Sequence, residues 1–130
     1  MRHVVRLAAV AVTAAVVGCG GTPKSDASPA ELNQLTEVVD LVKLYVEQRG
    51  KAPAGVADLR VFENAYPVGY EAVRSGEVVV SWGGRPADRS SAVLAYHKAV
   101  PTTGGWVALA SGEVKQMTAD EFKSAPRAGK

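Results

Sequence analysis

The sequence predicts an α+β fold in which one long N-terminal amphipathic helix packs on a small, mainly antiparallel sheet of about four strands, followed by a short C-terminal helix. Three observations support this prediction. Apolar residues recur at steps of three and four over residues 32–46, which is the period of one helix face. After Pro67 they come in short runs separated by glycine-containing turns, as in antiparallel strands. A Thr-x-x-Glu signature at Thr118 then begins the last helix.

The long helix has both of its ends marked in the sequence. Ser28 can cap it, Pro29 suits the first helical position, and Glu31 completes a capping box. Gly50 follows the last periodic residue and can adopt the left-handed conformation that ends helices. The apolar side consists of Leu32, Leu35, Val39, Val42 and Val46, widened by Val38, Leu41 and Tyr45. So wide and short a stripe favours packing on the protein's own sheet over a coiled coil or a partner-binding helix.

The second half of the chain is predicted as strands joined by turns. Runs of β-branched and aromatic residues alternate with Gly-Gly and Ser-Gly steps, which is typical of hairpins. The predicted segments are a strand, a Ser-Gly turn and a strand over residues 69–82, a strand over 92–100, a turn over 101–105, and a hairpin over 106–117 with Ser111 and Gly112 at its tip. Ahead of them, residues 51–67 form a connector that includes a helical turn at 57–62.

Residues 1–18 are predicted to be a signal peptide. Arg2 and Arg6 precede an uncharged, Ala/Val-rich run over residues 7–17. In a helix this run rises about 16 Å, which is roughly half the hydrocarbon thickness of a bilayer. A run of this length is too short for a stable spanning helix and is typical of a signal-peptide core.

Cys19 is the only cysteine of the chain and follows Val16, Val17 and Gly18. This order resembles the lipobox of bacterial lipoprotein precursors. The resemblance implies cleavage between Gly18 and Cys19, a diacylglycerol thioether on the Cys19 sulfur, and acylation of the new amino terminus. The competing interpretations are a secretory signal with an incidental cysteine and a buried core cysteine. With a single cysteine, neither an intramolecular disulfide nor a cysteine-rich metal site can form within the chain.

The lipobox resemblance also implies a location and a domain organisation. Several acyl chains, at about 0.8 kcal/mol per buried methylene, attach a protein to a membrane permanently. The protein is therefore expected in the bacterial cell envelope, and Gly20 in place of Asp favours the periplasmic face of the outer membrane where two membranes are present. Residues 19–28 then form the lipidated cysteine and a flexible tether, residues 29–125 the folded domain, and residues 126–130 a polar tail.

The charge balance argues against nucleic-acid binding. The chain has 15 Lys+Arg and 13 Asp+Glu, but two of the arginines belong to the predicted signal peptide. The rest of the chain is therefore neutral, and it contains no Lys/Arg block that could form a phosphate-binding surface. The predicted partners are the membrane, through the lipid, and a protein of the envelope or secretion machinery.

The order of elements after the lipobox resembles the globular part of type IV pilins and type II secretion pseudopilins. Residues 94–122 are similar to the C-terminal strands of pilin-like proteins abundant in planctomycete-type bacteria. Here Ser111-Gly112 replaces an Asp-Gly turn, and His97 is not at the spacing of that family's His-x9-Asp-Gly motif. Charged residues such as Asp40 interrupt the helix, whereas a pilin anchors through a continuous apolar one. The resemblance therefore implies a pilin-like head tethered by lipid, and not a fibre subunit.

Little in the sequence indicates an enzyme. His97 is the only histidine outside the predicted signal peptide, so a multi-histidine metal site is excluded, and no nucleophile motif accompanies it. We predict no catalytic residue, no metal and no cofactor, and a structural or interaction role. The alternative is a lipid-tethered binding module for an envelope glycan or peptide, in which Trp82, Tyr96 and Trp106 stack on one face. Packing of these rings in the core is the competing interpretation.

Overall fold

The computed structural model describes residues 29–86 and 91–129. The helical half consists of α1 (Pro29–Arg49), α2 (Val56–Leu59), a 3₁₀ turn (Arg60–Phe62) and α3 (Pro67–Arg74). The remaining elements are β1 (Val78–Val80), β2 (Val93–His97), α4 (Val100–Thr103), β3 (Gly105–Leu109), β4 (Val114–Met117) and α5 (Ala119–Ser124). Across the two described ranges, no helix combines the length and the apolar character that a bilayer crossing needs.

The four strands form one antiparallel sheet in the order β1-β2-β3-β4. Val79 lies opposite Tyr96 across the β1–β2 pair, and Tyr96 lies opposite Val107 across the β2–β3 pair. The register shifts between Val93 and Ala95, which marks an irregularity in β2. The predicted α+β fold, with a long helix, a four-stranded antiparallel sheet and a short C-terminal helix, is confirmed.

Helix α1 packs on one face of the sheet through the predicted apolar stripe. Its buried residues are Leu35, Val38, Val39, Leu41, Val42 and Tyr45. Three of them, Leu35, Val39 and Val42, share a core cluster with residues of β1, β2 and β3. Gly50 follows the helix with a φ of +70°, and its N–H donates to the Val46 carbonyl at 2.8 Å, as expected of a left-handed cap. The helix therefore packs on the protein's own sheet, as predicted.

One prediction for the middle of the chain is wrong, because residues 69–74 belong to helix α3 and not to a strand. Pro67 lies in the first turn of this helix, where the missing N–H costs nothing. The buried residues Gly69, Ala72 and Val73 recur at steps of three and four, which is the helical period. In so short a segment the sequence pattern does not distinguish a helix from a strand. The contact with α1 determines that the segment is helical.

Helices α1 and α3 approach each other most closely at Gly69. A Cβ placed on this residue would lie 2.7 Å from Glu37 Cβ and 2.9 Å from the Val38 nitrogen, so only glycine fits. The Gly69 N–H donates to Glu37 Oε2 at 2.8 Å. A carboxylate on α1 thus satisfies a free donor at the N-terminus of α3, where negative charge also suits the helix dipole. This contact fixes the position of α3 on α1.

In the C-terminal half, the β3–β4 hairpin and helix α5 follow the sequence predictions, whereas the end of β2 and the predicted turn differ. The β3–β4 hairpin forms with Ser111 and Gly112 at its tip. Helix α5 begins with the predicted capping box, since Thr118 Oγ1 accepts from the Glu121 N–H and Glu121 Oε2 accepts from the Thr118 N–H. Strand β2 ends at His97, three residues earlier than predicted. Helix α4 takes up the residues that follow, because proline in its first turn favours helix over strand there.

Residues 126–129, which the sequence places in a polar tail, pack along the edge of the sheet. The Val93 N–H donates to the Pro126 carbonyl at 2.8 Å, and the Ala128 N–H donates to the Val93 carbonyl at 3.0 Å. Arg127 thereby forms a parallel bridge with Val93, and Ala128 is only 3% exposed. Strand β3 pairs with one edge of β2. Residues 126–129 therefore pair with the opposite edge of β2, which is also the edge that pairs with β1.

Candidate functional site

The predicted cleavage and lipidation residues, Gly18 and Cys19, lie outside the described residues, so the lipid anchor stays a prediction. The structure gives the position from which a tether would lead to the domain. Helix α1 begins at Pro29, ten residues after Cys19 in the sequence. Its first residues are exposed, so a tether is not required to pass through the core.

The three aromatic residues predicted for a binding face do not share one face of the sheet. Trp82 and Trp106 pack against the core cluster that contains Leu35, on the side covered by α1. Tyr96 packs against the cluster that contains Phe122, on the opposite side, because successive side chains of a strand alternate. The indole nitrogen of Trp106 is buried without a hydrogen-bond partner among the described residues. Trp82 and Tyr96 nevertheless line one cavity together.

That cavity, which we call the notch, lies at the edge of the sheet and has a volume of about 320 Å³. It is lined by Val80, Ser81, Trp82, Tyr96, Arg127 and Ala128. The Ser81 N–H donates to the Leu94 carbonyl at 2.8 Å, whereas the preceding carbonyl, that of Val93, accepts from Ala128. The irregularity in β2 thus lets two consecutive carbonyls bond to two separate segments, the residues that follow β1 and residues 126–129. The notch is lined by both of these segments.

Close backbone contacts join the two segments beside the notch. A Cβ on Gly84 would lie 2.6 Å from Ala128 Cβ. Gly129 has a φ of +82°, and a Cβ there would lie 2.7 Å from the Gly84 nitrogen. Both positions therefore need glycine. The walls of the notch are held by backbone packed on backbone, which leaves them little freedom to move.

The Arg127 guanidinium is fixed at the notch by two contacts. Its Cζ lies 3.6 Å from the centre of the Phe122 ring, and its Nη1 donates to the Ala125 carbonyl at 2.8 Å. The Phe122 ring in turn packs against the Tyr96 ring, with 4.5 Å between the ring centres. Within residues 29–86 and 91–129, no carboxylate forms an ion pair with Arg127. Arg127 is thus a stacked cation with N–H donors that bond to no other described residue.

A larger cavity, which we call the α3 cleft, has a volume of about 540 Å³. It is lined by Arg60, Glu63, Asn64, Pro67, Tyr70, Glu71 and Arg74. Arg74 Nε and Nη2 each donate to one oxygen of Glu71 at 2.8 Å. These hydrogen bonds lower the pKa of Glu71 below its ordinary value of 4.5 and raise the pKa of Arg74. Arg74 and Glu71 therefore neutralise each other in the α3 cleft.

His97 is half-buried at the end of β2 and contacts the backbone of α1. Its Nε2 lies 3.3 Å from the Glu31 carbonyl oxygen, so its hydrogen-bond partner among the described residues is a backbone group. Ser90, Ser91 and Asp88 are the residues with which His97 could be drawn as a catalytic triad; Asp88 and Ser90 lie outside the described residues, and Ser91 is exposed. In the described part of the chain, no group of three His, Cys, Asp or Glu side chains could hold a metal ion.

Arg127 is the notch residue that sequence reasoning missed. It stands in a stretch that has the composition of a polar tail, and no spacing or motif marks it. Arg127 stacks on Phe122 of α5, a helix that the sequence did predict. Its position also depends on pairing with Val93 at the irregularity in β2, which the sequence did not predict. No protein-family model, curated protein or solved structure matches this chain.

Proposed function

We propose that this protein is a bacterial envelope lipoprotein, in which a lipid on Cys19 holds a small, non-enzymatic, pilin-like domain at a membrane. Its role is structural or one of interaction, with a protein of the envelope or secretion machinery as partner. The observation that carries the proposal is the order Val16-Val17-Gly18-Cys19 after a short uncharged run. The periplasmic face of the outer membrane is the expected location where two membranes exist.

The packing of α1 supports the lipid as the anchor. The apolar side of this helix is buried inside the domain, and its exposed side carries charged residues such as Lys43 and Glu47. Ionised groups at bilayer depth cost several kcal/mol each, so a helix of this composition is a poor membrane anchor. A thioether-linked diacylglycerol and an acylated amino terminus provide the attachment instead.

Metabolic labelling with radioactive palmitate tests the anchor. We expect label in the wild-type protein and in Gly20→Ala, a control that changes the neighbouring residue and keeps the thiol. Cys19→Ser has no sulfur to accept the diacylglycerol, so it should take up no label and should keep its signal peptide. Label retained by Cys19→Ser at the wild-type level would contradict the proposal.

A second candidate function, a lipid-tethered binding module, is favoured by the notch. Trp82 and Tyr96 line this cavity together with Arg127, whereas Trp106 does not. Its volume of about 320 Å³ lies at the lower end of the range of small-molecule pockets, which is roughly 300–1,000 Å³. The two candidates share the lipid anchor and differ in what the domain contacts. Saturable binding of a small ligand at the notch distinguishes them.

A further inference from the structure

We propose that the notch binds a carboxylated sugar ring, with the carboxylate on Arg127 and the apolar face of the ring against Trp82 and Tyr96. This inference rests on the second candidate function and names its class of ligand. It follows from three properties of the notch: its charge, the fixed position of Arg127, and the polarity of its walls.

The charge of the notch favours an anion. Of its six lining residues, Arg127 is the only charged one. A guanidinium presents five N–H donors in a planar fork that matches the two oxygens of a carboxylate. The Ala125 carbonyl takes a donor of Nη1 only, so the remaining donors can bind a ligand. A neutral or cationic ligand would leave this charge without a partner.

The fixed position of Arg127 favours recognition of a small ligand. A free arginine loses much rotamer freedom when it binds, and this loss weakens affinity. Here the stacking on Phe122 at 3.6 Å and the bond to Ala125 have already ordered the side chain. The contact of Phe122 with Tyr96 extends this order to one aromatic wall. A carboxylate therefore meets a guanidinium that is already in position.

The walls of the notch suit a sugar ring. Trp82 and Tyr96 are half-buried, and each presents an apolar ring with one polar group at its edge. Ser81 adds a hydroxyl to the lining. A sugar likewise has an apolar C–H face and hydroxyl groups around its edge. The volume of about 320 Å³ suits one sugar unit, so we expect the ligand to be a monosaccharide or the end of a glycan.

The two tryptophans of the chain allow binding to be followed by fluorescence. The full gene product is purified from membranes in detergent, and Trp106→Phe leaves Trp82 in the notch as the single reporter. Trp82→Phe is the matched control, because Trp106 lies outside the notch. The probes are glucuronate, its uncharged methyl ester, glucose, and acetate, which carries a carboxylate without a ring.

We expect glucuronate to change the Trp82 emission saturably, and the other three probes to bind at least about ten-fold more weakly. In Trp82→Phe the Trp106 emission should not respond. No saturable response of Trp82 to glucuronate, or equal affinity for glucuronate and its methyl ester, would overturn the proposal. All four probes are compared in one protein, Trp106→Phe, whose fold is checked by circular dichroism, so differences among the probes come from the ligand.

Arg127→Gln in the Trp106→Phe background tests the residue itself. We expect affinity for glucuronate to fall at least about ten-fold, and Arg127→Lys, which keeps a charge but not the planar fork, to lie between. Circular dichroism establishes that each variant is folded. Undiminished binding by folded Arg127→Gln would contradict the assignment. The titration uses detergent-solubilised protein and does not depend on how the protein is anchored. Failure of glucuronate binding therefore leaves the palmitate result unaffected, and failure of palmitate labelling leaves the binding result unaffected.

Discussion

Arg74 in the α3 cleft and Arg127 in the notch have opposite roles. In the cleft, Arg74 and Glu71 form two hydrogen bonds with side chains that are 59% and 56% exposed. In the notch, Arg127 is half-buried, stacks on Phe122 and bonds to a carbonyl. In the larger cavity Arg74 is thus neutralised by Glu71, whereas Arg127 in the smaller one keeps its positive charge. The state of Arg127, and not the volume of the cavity, therefore makes the notch the better candidate site.

Substitution of the two phenylalanines of the chain should have the largest effect on stability and tests this contrast. Phe62 belongs to the 3₁₀ turn beside the cleft and Phe122 stacks under Arg127, and they are 9% and 4% exposed. We expect Phe62→Ala and Phe122→Ala each to lower the free energy of unfolding by about 3–5 kcal/mol in urea denaturation followed by circular dichroism. Phe122→Ala should also remove the saturable response of Trp82 to glucuronate, whereas Phe62→Ala should retain it even though Trp82 packs against the cluster that contains Phe62. Loss of that response in folded Phe62→Ala would break the contrast.

Gly69→Ala is the next largest test, and it acts on the cleft side alone. The added methyl group would lie 2.7 Å from Glu37 Cβ, so α3 must move away from α1. We expect a loss of about 1–3 kcal/mol in the free energy of unfolding. Gly55→Ala is the control, since a Cβ there meets no atom within 4 Å, and it should cost less. Glucuronate binding should be unchanged in both variants, and equal destabilisation by the two would contradict the packing argument.

Thr118→Ala weakens the start of the helix that carries Phe122. It removes one half of the capping box with Glu121, and we expect a loss of about 1 kcal/mol in thermal or urea unfolding. Thr36→Ala serves as the control, because Thr36 is exposed within α1 and its hydroxyl bonds only to the Leu32 carbonyl. That variant should be close to neutral. If both variants lost the same stability, the capping box would have no special role.

The smallest expected effect concerns the pH dependence of the cleft. Because Arg74 lowers the pKa of Glu71 below 4.5, the pair stabilises the fold at neutral pH, and this contribution is lost as pH falls through the lowered pKa. Glu71→Gln should therefore have a slightly lower Tm than the wild type at about pH 7, and this difference should shrink as the pH falls through the lowered pKa of Glu71. Glu47→Gln, an exposed glutamate on α1, is the control. A difference in Tm that persists unchanged at acid pH would contradict the mechanism.

Features that depend on neighbouring residues were predictable from the sequence. The ends of α1 at Pro29 and Gly50, the hairpin tip at Ser111-Gly112 and the capping box at Thr118 each follow from local chemistry. Helix α3 was not predictable in this way. Its buried residues are few, and the bond that holds it joins Glu37 and Gly69, which are 32 residues apart.

The notch was not predictable because its walls come from three parts of the chain. Trp82 follows β1, Tyr96 lies in β2, and Arg127 follows α5. The aromatic residues could be recognised as candidates, but the side of the sheet on which Trp106 and Tyr96 lie depends on the register of the strands. Arg127 could not be recognised, since its stacking on Phe122 depends on backbone pairing with Val93.

The hydrogen bond between Glu37 and Gly69 also has a consequence for how the domain folds. A helix of eight residues, such as α3, is marginal on its own in water. Because its N-terminus is completed by a carboxylate of α1, α3 gains its stability only after α1 has formed and the intervening chain has closed. We therefore expect a preferred order of assembly, in which the long helix forms first and acts as the template on which the short one is built.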